Sequence, residues 1–313
     1  MAVEIKRLDE RPSLDLCTPI KVIEMGNVIE LQYMSRRNTR ATIKMLKGGN
    51  QYVDLGTGEI KDCIKHNTRA DQYKSLYRTF KTIRGIINAN VTDVNKVRWI
   101  TLTYRDNMCD TKRLYNDFKK FNQRFQYYVK NLGYSKPEYI VMCEPQGRGA
   151  WHCHLLYIFD VVAPFIPNIE LERLWGHGFT KIKQLDNVDN VGAYLTAYLG
   201  DMEIEEAFKN NSDEIQRCVD GNGTIKSIEI DGNKKYYIKG ARLQFYPVNF
   251  NMFRCSRGIK RPVEYMDYLE SAEKKVSAGT LTYEKTVQII DLDNDFQTVI
   301  NSRQYNMVKK KSK

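Results

Sequence analysis

His152 and His154 stand one residue apart in the run AWHCHLLYIF. Side chains of a strand alternate between its faces, so both imidazoles project from one side, and Cys153 and Leu155 project from the other toward a core. Two adjacent imidazoles can share one divalent cation. The chain has 4 histidines, and two of them are these. A carboxylate is spaced to join them. Glu144 precedes the turn-forming run PQGRG, and a tight hairpin centred near Arg148 sets position 144 opposite position 152. Glu144, His152 and His154 then make a three-ligand face with positions left for water and substrate. Mixed carboxylate and imidazole ligation suits Mg²⁺ or Mn²⁺ working on a phosphate. Gln146 is an alternative oxygen ligand. Arg148, between glycines, stands at the rim where a phosphate would be met.

A nucleophile is spaced in DNVGAYLTAYLGD, residues 189–201. Tyr194 and Tyr198 share one face of a helix, a turn apart. A phenol can attack a phosphodiester when a metal polarises the phosphate and a base helps remove the proton. The same spacing also describes an ordinary core stripe, and among 20 tyrosines one such pair is expected by chance.

These residues need elements to position them. VRWITLTY (97–104) reads as a buried strand, rich in β-branched and aromatic residues. Thr111 to Leu132 reads as a long helix, with Leu114, Phe118, Phe121, Phe125 and Val129 stepping by three and four and Gly133 ending it. Strands follow at 139–144 and 150–159, then a short helix from Asn168, its cap, to Leu174. A strand at 179–185 and a helix at 189–200 complete the series. Two hairpin strands between helices imply an antiparallel sheet with helices packed on it, an α+β arrangement. Ahead of this region, 22–34 and 51–62 read as hairpins, and 69–90 as an amphipathic helix whose polar side carries Lys74, Arg78, Lys81 and Arg84. The expected divisions are 1–94, 95–265 and 266–313, the last a C-terminal helix with a disordered basic tail, KKKSK.

Composition limits the partner class. The chain has 313 residues, 42% hydrophobic and 28% charged, the balance of a globular protein. No apolar run is long enough to span a membrane, and the charged N-terminus lacks a secretory signal, so a cytoplasmic location is expected. Seven scattered cysteines without a CxxC argue for free thiols rather than a disulfide framework. The 49 Lys+Arg outnumber the 38 Asp+Glu by 11, which favours a polyanion such as nucleic acid.

A strand ending in LTY (98–104), then EPQGRGAWHCHLL (144–156), then VGAYLTAYL (191–199) resembles, in that order, the three motifs of the HUH endonucleases. More narrowly the chain resembles the rolling-circle replication initiators of plasmids, phages and integrative elements, across roughly residues 75–265. WGHGFTKIK (175–183) and RCSRGIKRP (254–262) are softer points of likeness. The resemblance implies an HUH-like, ferredoxin-like core with a small β-rich N-terminal extension. It implies nicking of one strand of single-stranded or supercoiled origin DNA, with a tyrosine joined to the 5′ end and a 3′-hydroxyl freed to prime synthesis. His152 and His154 would hold the divalent metal, Glu144 would be the third ligand, and Tyr194 and Tyr198 match the two family tyrosines. Arg148, Lys181, Lys183, Arg254 and Arg257 are the expected DNA contacts.

The chain departs from the pattern at Ala197, where many relatives carry a lysine, and Lys181 or Lys183 are the cations left to replace it. His177 is unassigned. Rival readings are a non-catalytic basic DNA-binding protein, a conjugative relaxase or single-strand transposase, and a metal-dependent RNA-processing enzyme. No GxxxxGK[ST] run occurs, so unwinding and synthesis would fall to a host helicase and DNA polymerase.

Overall fold

The computed structural model describes residues 4–39, 42–64, 73–185, 190–203, 225–230, 233–238, 240–292 and 295–308. In chain order the elements are β1 (Glu4–Leu8), β2 (Pro19–Met25), β3 (Val28–Met34), β4 (Ile43–Met45), β5 (Gln51–Asp54), β6 (Ile60–Asp62), α1 (Tyr73–Asn90), β7 (Val97–Tyr104), α2 (Thr111–Asn131), β8 (Glu138–Pro145) and β9 (Trp151–Ile158). Then come α3 (Asn168–Trp175), β10 (Gly178–Lys183), α4 (Val191–Gly200), β11 (Met202–Glu203), β12 (Ile225–Ile230), β13 (Asn233–Ile238), β14 (Phe253–Cys255), β15 (Val263–Tyr268), α5 (Leu269–Val276), β16 (Thr280–Asp291) and β17 (Phe296–Asn306). No described helix is long and apolar enough to cross a membrane.

The chain divides into two compact units, Met1–His66 with Val263–Lys313, and Asn67–Pro262. The helix grouped above with the N-terminal strands falls in the second unit, and the C-terminal segment falls in the first. There it adds strands to a six-stranded antiparallel sheet ordered β1-β16-β17-β3-β2-β15. The residues expected to form a C-terminal helix and tail hold a short helix and two long strands, while 309–313 lie outside the described residues. The strands escaped the hydrophobic pattern because this sheet buries polar groups. Thr286, Thr298, Asn301 and Arg303 are all buried. Asn301 donates to the hydroxyl of Thr286, and Arg303 pairs with Glu273 on α5. Leu269, Ala272 and Val276 of α5 pack on Ile20, Val22, Ile29, Leu31 and Tyr305.

The second unit is α+β. Its five-stranded sheet runs β10-β7-β9-β8-β14, every neighbour antiparallel. One face is covered by α2 and α3. Asp110 starts α2 by accepting from the amides of Lys112 and Arg113, and the expected apolar stripe is buried from Leu114 to Val129. Gly133 stops it at a φ of +85°. The stripe packs on Leu102, Tyr104, Cys153, Leu155 and Tyr157. Helix α3 has no side-chain cap: Asn168 is its first residue, after Pro167, and its side-chain amide bonds Glu172 instead.

The opposite face meets α1 and α4. Ile83, Ile86 and Ile87 of α1 and Val191, Leu195 and Leu199 of α4 pack on Ile140, Met142 and Leu156. The two helices touch at Gly192, where an added Cβ would stand 2.4 Å from the carbonyl oxygen of Arg84. Asn190 caps α4 by accepting from Ala193, and the buried Asn88 of α1 accepts from Gly192 while donating to Asn190. Gly192→Ala should therefore cost about 1–3 kcal/mol in urea denaturation, because two backbones must separate. Gly200→Ala, whose nearest neighbour would be 3.6 Å away, should change stability by less than about 1 kcal/mol.

Candidate metal and phosphodiester site

The hairpin of β8 and β9 carries the site. Its turn closes with the Gln146 amide donating to Ala150 at 2.7 Å and the Gly149 amide donating to Gln146 at 2.8 Å. Gly149 takes a φ of +84°, which favours glycine. The resulting register pairs Glu144 with His152 and Met142 with His154. On the other side of β9, Thr103 pairs with His152 and Thr101 with His154. Glu144, His152 and His154 thus share the sheet face on which α1 and α4 pack. Trp151 points to the reverse face, stacked on Phe250 at 4.5 Å, with its Nε1 donating to the Cys109 carbonyl.

Glu144 is buried at 5% exposure and has partners on both oxygens. Nε2 of His154 donates to Oε2 at 2.7 Å, and Nδ1 of His154 meets the hydroxyl of Thr101 at 3.3 Å. Nε of Arg242 lies 2.9 Å from Oε1. Burial works against the carboxylate's charge, but Arg242 and the two imidazoles outweigh it and hold the pKa below the usual value. His152 is different. Its Nε2 is buried and has no hydrogen-bond partner among the described residues. The ring centroids of the two histidines are 6.3 Å apart. Burial pushes the pKa of His152 down to about 4 despite the opposing pull of Glu144.

An orphaned imidazole nitrogen beside a second imidazole and a carboxylate fits a divalent cation in donor chemistry. Among the described residues, no three His, Cys, Asp or Glu side chains already converge on one point. Glu144 is drawn onto His154 and Arg242 instead. Gln146 lies at the turn, accepting from Nε of Arg148 at 3.2 Å.

The expected DNA contacts separate into two groups. Arg148 sits exposed at the turn, its Nη2 3.4 Å from the Tyr104 carbonyl oxygen. Lys181 and Lys183 lie on β10 opposite Thr101 and Trp99, and hence on the histidine face. Lys181 is two strands from His154, about 10 Å. Arg254 pairs opposite Val141 on the reverse face, its guanidinium 3.4 Å over the ring of Tyr115. Arg257 follows β14 near Glu138, about 20 Å along the strand from Glu144. Arg254 and Arg257 are therefore not part of this site. His177 is also elsewhere, with its Nε2 3.6 Å from Asp117 and its ring beside Trp175.

Tyr194 and Tyr198 lie on α4, and their side chains, like that of Ala197, are outside those described. Both ends of α4 are fastened. Beyond the Asn88 and Asn190 contacts at its start, the Leu199 carbonyl accepts from the hydroxyl of Tyr246 at 3.0 Å and the Gly200 carbonyl from the Arg242 amide at 3.0 Å. Nothing in the spacing of GARLQFYP marks Arg242 as a partner of Glu144. The signal available was chemical: a buried carboxylate requires a cation.

The depressed pKa of His152 makes stability pH-dependent. Its folded value lies below the unfolded value of about 6.5, so the contribution is present above pH 6.5 and is lost as pH falls toward about 4. In chelator, wild type should lose about 2 kcal/mol more than His152→Gln between pH 7 and pH 5, read by urea unfolding.

No curated protein and no solved structure matches the chain. Residues 97–203 match a family described as replication-associated protein. That span runs from the start of β7 through the hairpin and α4 to β11, so it contains Glu144, His152, His154, Tyr194 and Tyr198. Over this span, about a third of the chain, the protein is similar to that replication-associated protein family.

Proposed function

We propose that the protein initiates rolling-circle DNA replication as an HUH-type nickase, cutting one strand of its origin by tyrosine attack. One observation carries the reading. Within the span matched to a replication-associated family, Glu144, His152 and His154 share a sheet face with the helix that bears Tyr194 and Tyr198.

His152, His154 and Glu144 would hold Mg²⁺ or Mn²⁺, which when bound supplies Lewis-acid polarisation of the scissile phosphate. The phenol oxygen of Tyr194 or Tyr198 attacks phosphorus and forms the Tyr–O–P bond. The bond from phosphorus to the 3′ oxygen breaks, and that oxygen gains a proton as the phenol loses one. The products are a 5′-phosphotyrosine link and a free 3′-hydroxyl, and the reverse reaction rejoins strands. Lys181 and Lys183 offer positive charge on the same face, and Arg148 offers it at the rim. Ala197 supplies none, so these lysines take the place of the family cation. Single-stranded or supercoiled origin DNA is the partner this reading implies, and the net charge of +11 is compatible with a polyanion. A host helicase and polymerase would extend the freed end.

The test uses purified full-length protein, Mn²⁺ and labelled circular single-stranded DNA of the element that encodes it. Denaturing electrophoresis and mass spectrometry should show an adduct on Tyr194 or Tyr198, absent with chelator and in His152→Ala. Salt-sensitive binding without cleavage or adduct would make the protein a non-catalytic DNA binder.

A further inference from the structure

Arg242 is 8% exposed and touches three parts of the second unit at once. Its Nε lies 2.9 Å from Oε1 of Glu144 and donates to the Asp201 carbonyl at 2.7 Å. Its Nη1 donates to the Pro145 carbonyl at 3.1 Å. Its own amide donates to the Gly200 carbonyl. One side chain thus joins the carboxylate of Glu144, the end of β8 and the C-terminal end of α4. The location is electrostatically consistent, since a helix C-terminus carries partial negative charge and a carboxylate a full one.

We propose that Arg242 is a positioning residue, holding the Glu144 carboxylate for a divalent cation and coupling that carboxylate to the helix of Tyr194 and Tyr198. The assignment rests on the nickase reading. Nε2 of His154 cannot both donate to Glu144 and hold a cation, so cation binding requires that hydrogen bond to be given up. Glu144 then keeps one oxygen on Arg242 and has the other free. Ligating carboxylates are commonly anchored by such hydrogen bonds from behind, and losing an anchor typically weakens metal binding 10- to 100-fold. Lysine cannot replace the function, because its single ammonium lacks the planar fork that meets carboxylate and carbonyls together. The same contacts mean that a shift of the carboxylate is felt at Asp201, one residue past α4.

Two readouts test this on the full chain. Mn²⁺ binding, followed by electron paramagnetic resonance of the free ion, should weaken 10- to 100-fold in Arg242→Lys and Arg242→Gln. Asn88→Ala, which loosens the far end of α4 without touching Glu144, should bind Mn²⁺ as wild type does. In chelator, amide hydrogen exchange over 195–203 should quicken in Glu144→Gln, a variant that leaves Arg242 in place should the Arg242 variants not fold. Wild-type affinity in Arg242→Lys, an equal loss in Asn88→Ala, or unaltered exchange in Glu144→Gln would overturn the assignment. If wild type itself bound no Mn²⁺, the metal reading would fall and the assignment with it. Binding by wild type with no change in Arg242→Lys would remove the assignment alone.

Discussion

The pairing register of β8 and β9 is the constraint on which everything at the candidate site depends. A strand pair slipped by one residue turns every side chain to the other face. Here such a slip would send Glu144 away from His152 and bury it under α2. The register is enforced from behind. Tyr139, Val141 and Cys143 face Tyr157, Leu155 and Cys153 across the hairpin, and these pairs pack beneath the aromatic stripe of α2. The turn at Gly149 closes the pair at one end, and Trp151, anchored to the Cys109 carbonyl, pins the start of β9. The apolar face thus positions the polar one.

Once the register buries Glu144, electrostatics dictates what must come next. A buried carboxylate that keeps its charge needs partners whose attraction offsets lost hydration. His154 supplies one, across the hairpin. Arg242 supplies the other from 98 residues further along the chain. Recruiting Arg242 also brings the segment around it onto α4, where its amide and the hydroxyl of Tyr246 satisfy carbonyls that a helix end leaves unpaired. Charge compensation and helix termination are met by the same few residues. His152 has no such compensation, and its Nε2 has no partner among the described residues.

The sequence made some of this legible and hid the rest for physical reasons. Strand β7 and helix α2 could be read because local pattern and tertiary demand agree there: β-branched and aromatic residues in the strand, an apolar stripe and a terminal glycine in the helix. The opposition of Glu144 and His152 followed from counting across a tight turn. The long strands β16 and β17 were missed because their buried face carries Thr286, Asn301 and Arg303 rather than an apolar alternation. Charge alone does not reveal which strand face a residue occupies, so the side of the sheet that Arg254 takes could not be read. Its pairing with Val141 sends it onto Tyr115. Arg242 was invisible because nothing local marks a cation recruited over so long a separation.

Helix α4 illustrates the limit of pattern most directly. Its sequence, VGAYLTAYLG, contains no charge, and a helix apolar on all sides belongs in a buried setting. In such a helix a pair of tyrosines at i and i+4 cannot be told from core by periodicity, since every position is apolar or nearly so. What distinguishes α4 is how its backbone is held. Asn88 and Asn190 fix its first turn, Gly192 allows it to lie against Arg84, and Arg242 and Tyr246 fix its last carbonyls. A core helix needs only its apolar face to stay in place. The proposed chemistry asks for more, because an attacking oxygen must meet phosphorus in line and small displacements cost rate steeply. Polar fastenings at both ends of a short apolar helix, one of them shared with Glu144, are an arrangement suited to that demand.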